Sequence, residues 1–141
     1  MTESAFVRRC TPKLQWSGGK YFIQIIEDRI TLMSNHVFVV SEWLPKEGKD
    51  DALWEVLKGL MVLSRKERGC VRAHATRQIS HPGSPSQSKY TIVLLQEYID
   101  INAFDIHCAS DYVTNAFRKF IENKDTALVK DWQCRLFSEE E

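Results

Sequence analysis

The chain has 141 residues, enough for one domain that buries its own core without disulfides or a structural metal. Nineteen basic side chains balance nineteen acidic ones, so no net field draws the protein to nucleic acid or an anionic membrane. The four cysteines stand singly and no apolar run reaches the roughly 18 residues of a membrane span, which argues against a disulfide scaffold and an integral membrane helix.

The first residues lack the apolar core of a secretory signal, and the expectation is a soluble cytoplasmic protein. Residues 1–35 read as an N-terminal extension. Ser17-Gly18-Gly19 marks a turn, and strand-like runs at 21–26 and 30–33 flank Glu27-Asp28-Arg29. These runs suit a hairpin, one added strand, or an arm laid on a partner subunit.

The main domain spans residues 36–137. Residues 37–44 are rich in β-branched and aromatic side chains and predict a strand, stopped by Pro45 and Gly48. Asp50 and Asp51 open a helix whose Leu53, Val56, Leu57, Leu60, Met61 and Leu63 line one face. Gly69 is expected to close that helix in the left-handed conformation. The preceding Arg65-Lys66-Glu67-Arg68 mixes signs and reads as a solvated helix end rather than a phosphate site.

Residues 70–79 alternate small apolar with polar side chains, the period of a half-buried strand, and 80–88 form a Pro- and Ser-rich loop. Residues 89–98 make a second strongly apolar strand. The helix that follows is in two pieces, with Ser110-Asp111 as an internal N-cap and an apolar stripe of Val113, Ala116, Phe117, Phe120 and Ile121. Residues 129–137 alternate again, with Trp132, Cys134 and Leu136 on one side, and close the sheet. The tail 138–141 is acidic and expected to be disordered.

This β-α-β-β-α-β order predicts an α+β, ferredoxin-like fold: an antiparallel sheet with both helices on one face. One set from Val37/Val39 or Phe38/Val40, and one from Thr91/Val93/Leu95 or Ile92/Leu94, must then face away from the helices. Such an apolar face is too large for a lone monomer, and pairing two sheets across a two-fold axis would bury it. A homodimer is expected.

Two motifs carry a resemblance. Glu67-Arg68-Gly69-Cys70 is similar to the E-x-G-C turn of the antibiotic biosynthesis monooxygenase (ABM) domains. The run from Val93 through Gln96-Glu97-Tyr98-Ile99-Asp100 to Ala103-Phe104-Asp105-Ile106-His107 resembles their E-x-(W/Y)-x-D-x-x-A-(hydrophobic)-x-x-H pattern. The resemblance covers 36–137 and implies a dimeric α/β barrel. That family holds cofactor-independent oxygenases of phenolic or anthrone-like molecules, quinol monooxygenases, haem-degrading enzymes and an isomerase of a phosphorylated signalling molecule. The fold therefore implies a pocket, not one reaction. Where many relatives place a second histidine, this chain has Asp111. Where haem-degrading relatives carry an axial histidine, a distorting tryptophan and an asparagine, it has Phe117, His107 and Glu42. The resemblance thus disfavours haem, and no cofactor is expected. His36, His74, His107 and the cysteines show no zinc-ligand spacing either.

His107 is the first candidate for catalysis, since an imidazole can take the proton of a phenol or hydroquinone, whose anion then reacts with oxygen directly. The plainer role is packing at the kink between helix pieces. Glu97, at the end of the third strand, would orient His107 if it faces the helices, and is a solvated charge if it does not. Tyr98 points to the opposite side from Glu97 and suits the core or a dimer contact. Trp43 and Tyr112 are candidate walls for a planar substrate, against core packing as the default. His74 and Arg72 share one face of the second strand and would suit an anionic group, or an exposed polar face. The expected function is a monooxygenase that uses oxygen on a small aromatic or quinol-type substrate. The alternatives are a non-catalytic binding protein of the same shape, and an isomerase of a small phosphorylated metabolite served by Arg72 and Arg77.

Overall fold

The structure is a computed structural model and describes residues 35–139. The N-terminal runs at 21–26 and 30–33 lie outside the described residues. The elements are β1 (Val37–Pro45), α1 (Asp50–Ser64), β2 (Cys70–Arg77), β3 (Ile92–Tyr98), α2 (Ile101–Ala109), α3 (Asp111–Phe117) with a π-helical turn (Arg118–Glu122), and β4 (Val129–Ser138). The strands form one antiparallel sheet in the order β2-β3-β1-β4, the ferredoxin-like topology expected.

Strand alternation resolves which face meets the helices. Val37, Val39, Ser41 and Trp43 of β1 are buried, and the β3 residues on that same face are Ile92, Leu94, Gln96 and Tyr98. Leu53, Leu57 and Met61 of α1 pack there with Trp43, Ala73, Ile92 and Leu94. Val37, Val39, Tyr98 and Ala103 form a second cluster beneath α2. The opposite face carries Phe38, Val40, Val93 and the 43 % exposed Leu95, edged by the ion pairs Arg135–Glu42 and Arg72–Glu97, each 2.9 Å.

Three local expectations are corrected. α1 ends at Ser64, which turns inward and donates its hydroxyl to the Leu60 carbonyl at 3.0 Å, while Leu63 faces solvent. Gly69 is not left-handed, for among the described residues only Gly48 has a positive φ, at 72°. What Gly69 supplies is close approach: a Cβ there would overlap the Cβ of Ala103 on α2, and its carbonyl accepts from the Ile99 amide at 3.0 Å. Ser138, expected in the tail, is the last residue of β4 and pairs with Val37.

Candidate active site

Asp100 caps the N-terminus of α2, its carboxylate accepting from the Ala103 amide at 2.7 Å. One turn further along the same face, His107 is driven inward and is only 8 % exposed. Its ring lies 5.2 Å from Tyr98 and 6.1 Å from Phe104, which hold its plane. Ser110 separates α2 from α3 at the expected position. Its hydroxyl, however, bonds backward to the His107 carbonyl at 2.7 Å, closing α2 instead of capping α3.

The carboxylate beside His107 is Glu67, from the turn after α1. His107 Nδ1 lies 2.8 Å from Glu67 Oε1. The Tyr112 hydroxyl donates to the same oxygen in a short bond, and stands 3.2 Å from Nδ1 and 3.1 Å from Ser64 Oγ. Burial, and then the bond to Glu67, raise the Tyr112 pKa, so the phenol stays protonated as a donor. A carboxylate accepts only, so the Glu67 contact assigns the Nδ1–H tautomer to neutral His107 and leaves Nε2 as the acceptor. Among the described residues nothing bonds Nε2, and no fully buried side-chain nitrogen or oxygen lacks a partner, so Nε2 keeps some exposure.

His107 lines a cavity of about 540 Å³ between helices and sheet, within the size range of small-molecule sites. Trp43, Phe104, Phe117 and Trp132 supply aromatic walls; Val39, Leu60, Met61 and Leu94 supply aliphatic ones. Trp43 stacks on Trp132 at 5.4 Å, and Phe117 meets both edge-on. Ser41, Gln96, His107, Thr114, Arg118 and Glu122 are polar residues of the lining. Gln96 donates to the Tyr98 hydroxyl at 2.7 Å, and Ser41 accepts from the Trp43 indole at 3.0 Å. Cys108 and Cys134 also line it; desolvation first, then the neighbouring Cys134, push the Cys108 thiol up to about 11, so it is no ready nucleophile.

The sequence-derived candidates divide accordingly. His107 and Trp43 line the cavity, and Tyr112 stands behind His107, bonded to it rather than to the open space. Glu97 does not support His107. Its register opposite Phe38 puts it on the other face of the sheet, where His36 Nδ1 at 2.6 Å and Arg72 Nε at 2.9 Å take its two oxygens. Arg72 and His74 are on that far face too, so neither reaches the cavity. Among the described residues no group of three or more His, Cys, Asp or Glu could hold a metal ion.

Glu67, Gln96 and Arg118 escaped the sequence reading. Glu67 had a signal: an acid after the last turn of a helix opposes the dipole, which argues for a partner elsewhere.

A four-stranded antiparallel sheet with a one-sided helix layer defines a ferredoxin-like α+β domain, here with a cavity that His107 lines. Residues 36–119 match the family model described as antibiotic biosynthesis monooxygenase. The match spans more than half of the chain, which belongs to that family. No curated protein matches. Among solved structures, protein SO0527 from Shewanella oneidensis is 28 % identical, with 76 % of this chain and 92 % of that one covered and a TM-score of 0.59. A candidate antibiotic biosynthesis monooxygenase from Deinococcus radiodurans is 16 % identical, with 75 % and 93 % covered and a TM-score of 0.58. A dimeric protein of ferredoxin-like fold from Bacteroides fragilis is 11 % identical, with 74 % and 96 % covered and a TM-score of 0.57. No helix among the described residues is long and apolar enough to cross a membrane.

Proposed function

We propose that this protein is a monooxygenase that oxidises a small aromatic or quinol-type substrate with O2 and without a tightly bound cofactor. The observation that carries the reading is His107, held through Nδ1 by Glu67 with Nε2 free at the wall of an open, aromatic-lined cavity. His107 is the base, Glu67 takes the supporting place considered for Glu97, and Tyr112 fixes the Glu67 carboxylate.

The chemistry balances with the substrate as reductant. His107 Nε2 removes the hydroxyl proton of a bound hydroquinone, and the anion passes one electron to O2. The radical pair recombines at a ring carbon, and the resulting peroxide takes the proton back from His107 to become a hydroperoxide. Loss of water leaves a hydroxyquinone, so one oxygen atom enters the product and the other leaves as water. The apolar walls keep bulk water from the anion, and Trp43 and Trp132 present flat faces to the ring.

The open cavity favours this over a non-catalytic barrel. An isomerase of a phosphorylated metabolite has lost its expected binders, since Arg72 lies on the far sheet face and Arg77 pairs with Asp51 at 2.8 Å. The test is oxygen uptake by the whole chain with a panel of hydroquinones. We expect one O2 per quinol without peroxide release, and a loss of about 10²- to 10⁴-fold in kcat for His107→Ala. Unchanged turnover in that variant removes His107 from the mechanism.

A further inference from the structure

The cavity has a second polar group that the oxygenase chemistry leaves unused. Arg118 follows Phe117 and opens the π-helical turn 118–122, whose backbone closes through the Asn123 amide on the Arg118 carbonyl at 2.9 Å. Such turns widen a helix locally and are frequent at functional sites. Here the turn brings Arg118 to the cavity wall.

Four other arginines of the domain are engaged, and Arg68 is exposed away from the cavity. Arg65 donates to the Ala73 carbonyl, Arg72 pairs with Glu97, Arg77 with Asp51 and Arg135 with Glu42. The Arg118 guanidinium has no hydrogen bond or ion pair among the described residues, although Glu122 lines the same cavity. The Arg118 side chain is exposed, and at the rim of apolar walls its guanidinium is a directional hydrogen-bond donor to a carboxylate.

His107 and Arg118 stand at different ends of the cavity. The cavity follows β1 from Val39 to Trp43, about 13 Å of strand. His107 packs on Tyr98, whose strand partner is Val37, just beyond the Val39 end. Arg118 adjoins Phe117, which packs on Trp43 and Trp132 at the other end. We propose that the cavity takes a planar aromatic hydroxy acid, with its hydroxyl at His107 and its carboxylate on Arg118. Trp43, Trp132 and Phe117 hold the rings between those ends. The proposal rests on the oxygenase reading only for which end of the ligand meets His107. Glu122 opposes the carboxylate and sets how tightly acids are held.

Binding measured anaerobically tests this apart from turnover. The probes are 6-hydroxy-2-naphthoic acid and its methyl ester, titrated calorimetrically into the full chain at neutral pH. We expect the acid to bind at least about tenfold more tightly than the ester. Arg118→Gln should abolish that preference while leaving ester affinity unchanged, which also shows the cavity intact. Arg118→Lys should keep part of the preference, and Glu122→Gln should strengthen acid binding alone. Equal binding of acid and ester to the parent protein, no binding of the acid, or a preference that survives Arg118→Gln overturns the proposal. An acid preference carried by Arg118 in a protein that consumes no oxygen defeats the oxygenase reading and leaves this one standing. Oxygen uptake with neutral hydroquinones and no acid preference does the reverse.

Discussion

Glu67 and Glu97 are two acids in the motifs shared with the family, and alternation along β3 separates their roles. Gln96 and Tyr98 point to the helices, so Glu97 between them must point away, and its oxygens go to His36 and Arg72. Glu67 sits 40 positions before His107 and meets it because the turn after α1 packs against α2. A base and its orienting carboxylate act as a unit, so Glu67→Gln should lower kcat about tenfold or more with little change in KM. Glu97→Gln should leave kcat within about twofold, since its carboxylate faces the other side of the sheet. Steady-state oxygen uptake on both variants checks this; a larger loss from Glu97→Gln than from Glu67→Gln would return Glu97 to the site.

At the scale of elements, the junction of α1, β2 and α2 sets the geometry around His107. The chain leaves α1 at Ser64, passes Glu67, and reaches β2 through Gly69, which has no side chain to hold α2 away. A methyl group at Gly69 would overlap the Cβ of Ala103 and touch Ile99 Cγ1 at 3.6 Å. Gly69→Ala should therefore destabilise the fold by about 1–3 kcal/mol, read from the urea midpoint. The double variant Gly69→Ala/Ala103→Gly should recover part of that loss beyond additivity, because it removes the overlapping carbon. Additive losses would mean the glycine serves something other than this contact.

Element order was legible in the sequence because each element announces itself locally. β-branched and aromatic residues mark the strand at 37–44 and side-chain period marks the helix from Asp50, and both stand where expected. The two-piece helix was read from Ser110-Asp111 alone. Period also requires Glu97 and Tyr98 to part. It does not say which of them meets the helices, for alternation has no absolute phase until a second layer packs on one face.

For the whole molecule, the sheet face opposite the helices is the open question of assembly. Phe38, Val40, Val93 and Leu95 make its apolar centre, and Glu42–Arg135 and Glu97–Arg72 border it. We propose that two copies pair through this face, with the apolar centres meeting and the ion pairs at the rim. Leu95, 43 % exposed in the single chain, is the probe. Light scattering at micromolar concentration should give a dimer for the parent chain and a folded monomer for Leu95→Glu, by circular dichroism. A monomeric parent protein would reject the pairing.

The sequence by itself determined the element order, the α+β class, the family motifs and the histidine on a kinked helix. Those rest on periodicity, capping and turn chemistry, which act over a few residues. Only the tertiary structure decided that Glu67 serves His107, that Glu97 belongs to the far face, and that Arg118 reaches the cavity. Each of these is a contact between elements distant in the chain, set by how the helix layer packs on the sheet. No local pattern encodes that packing.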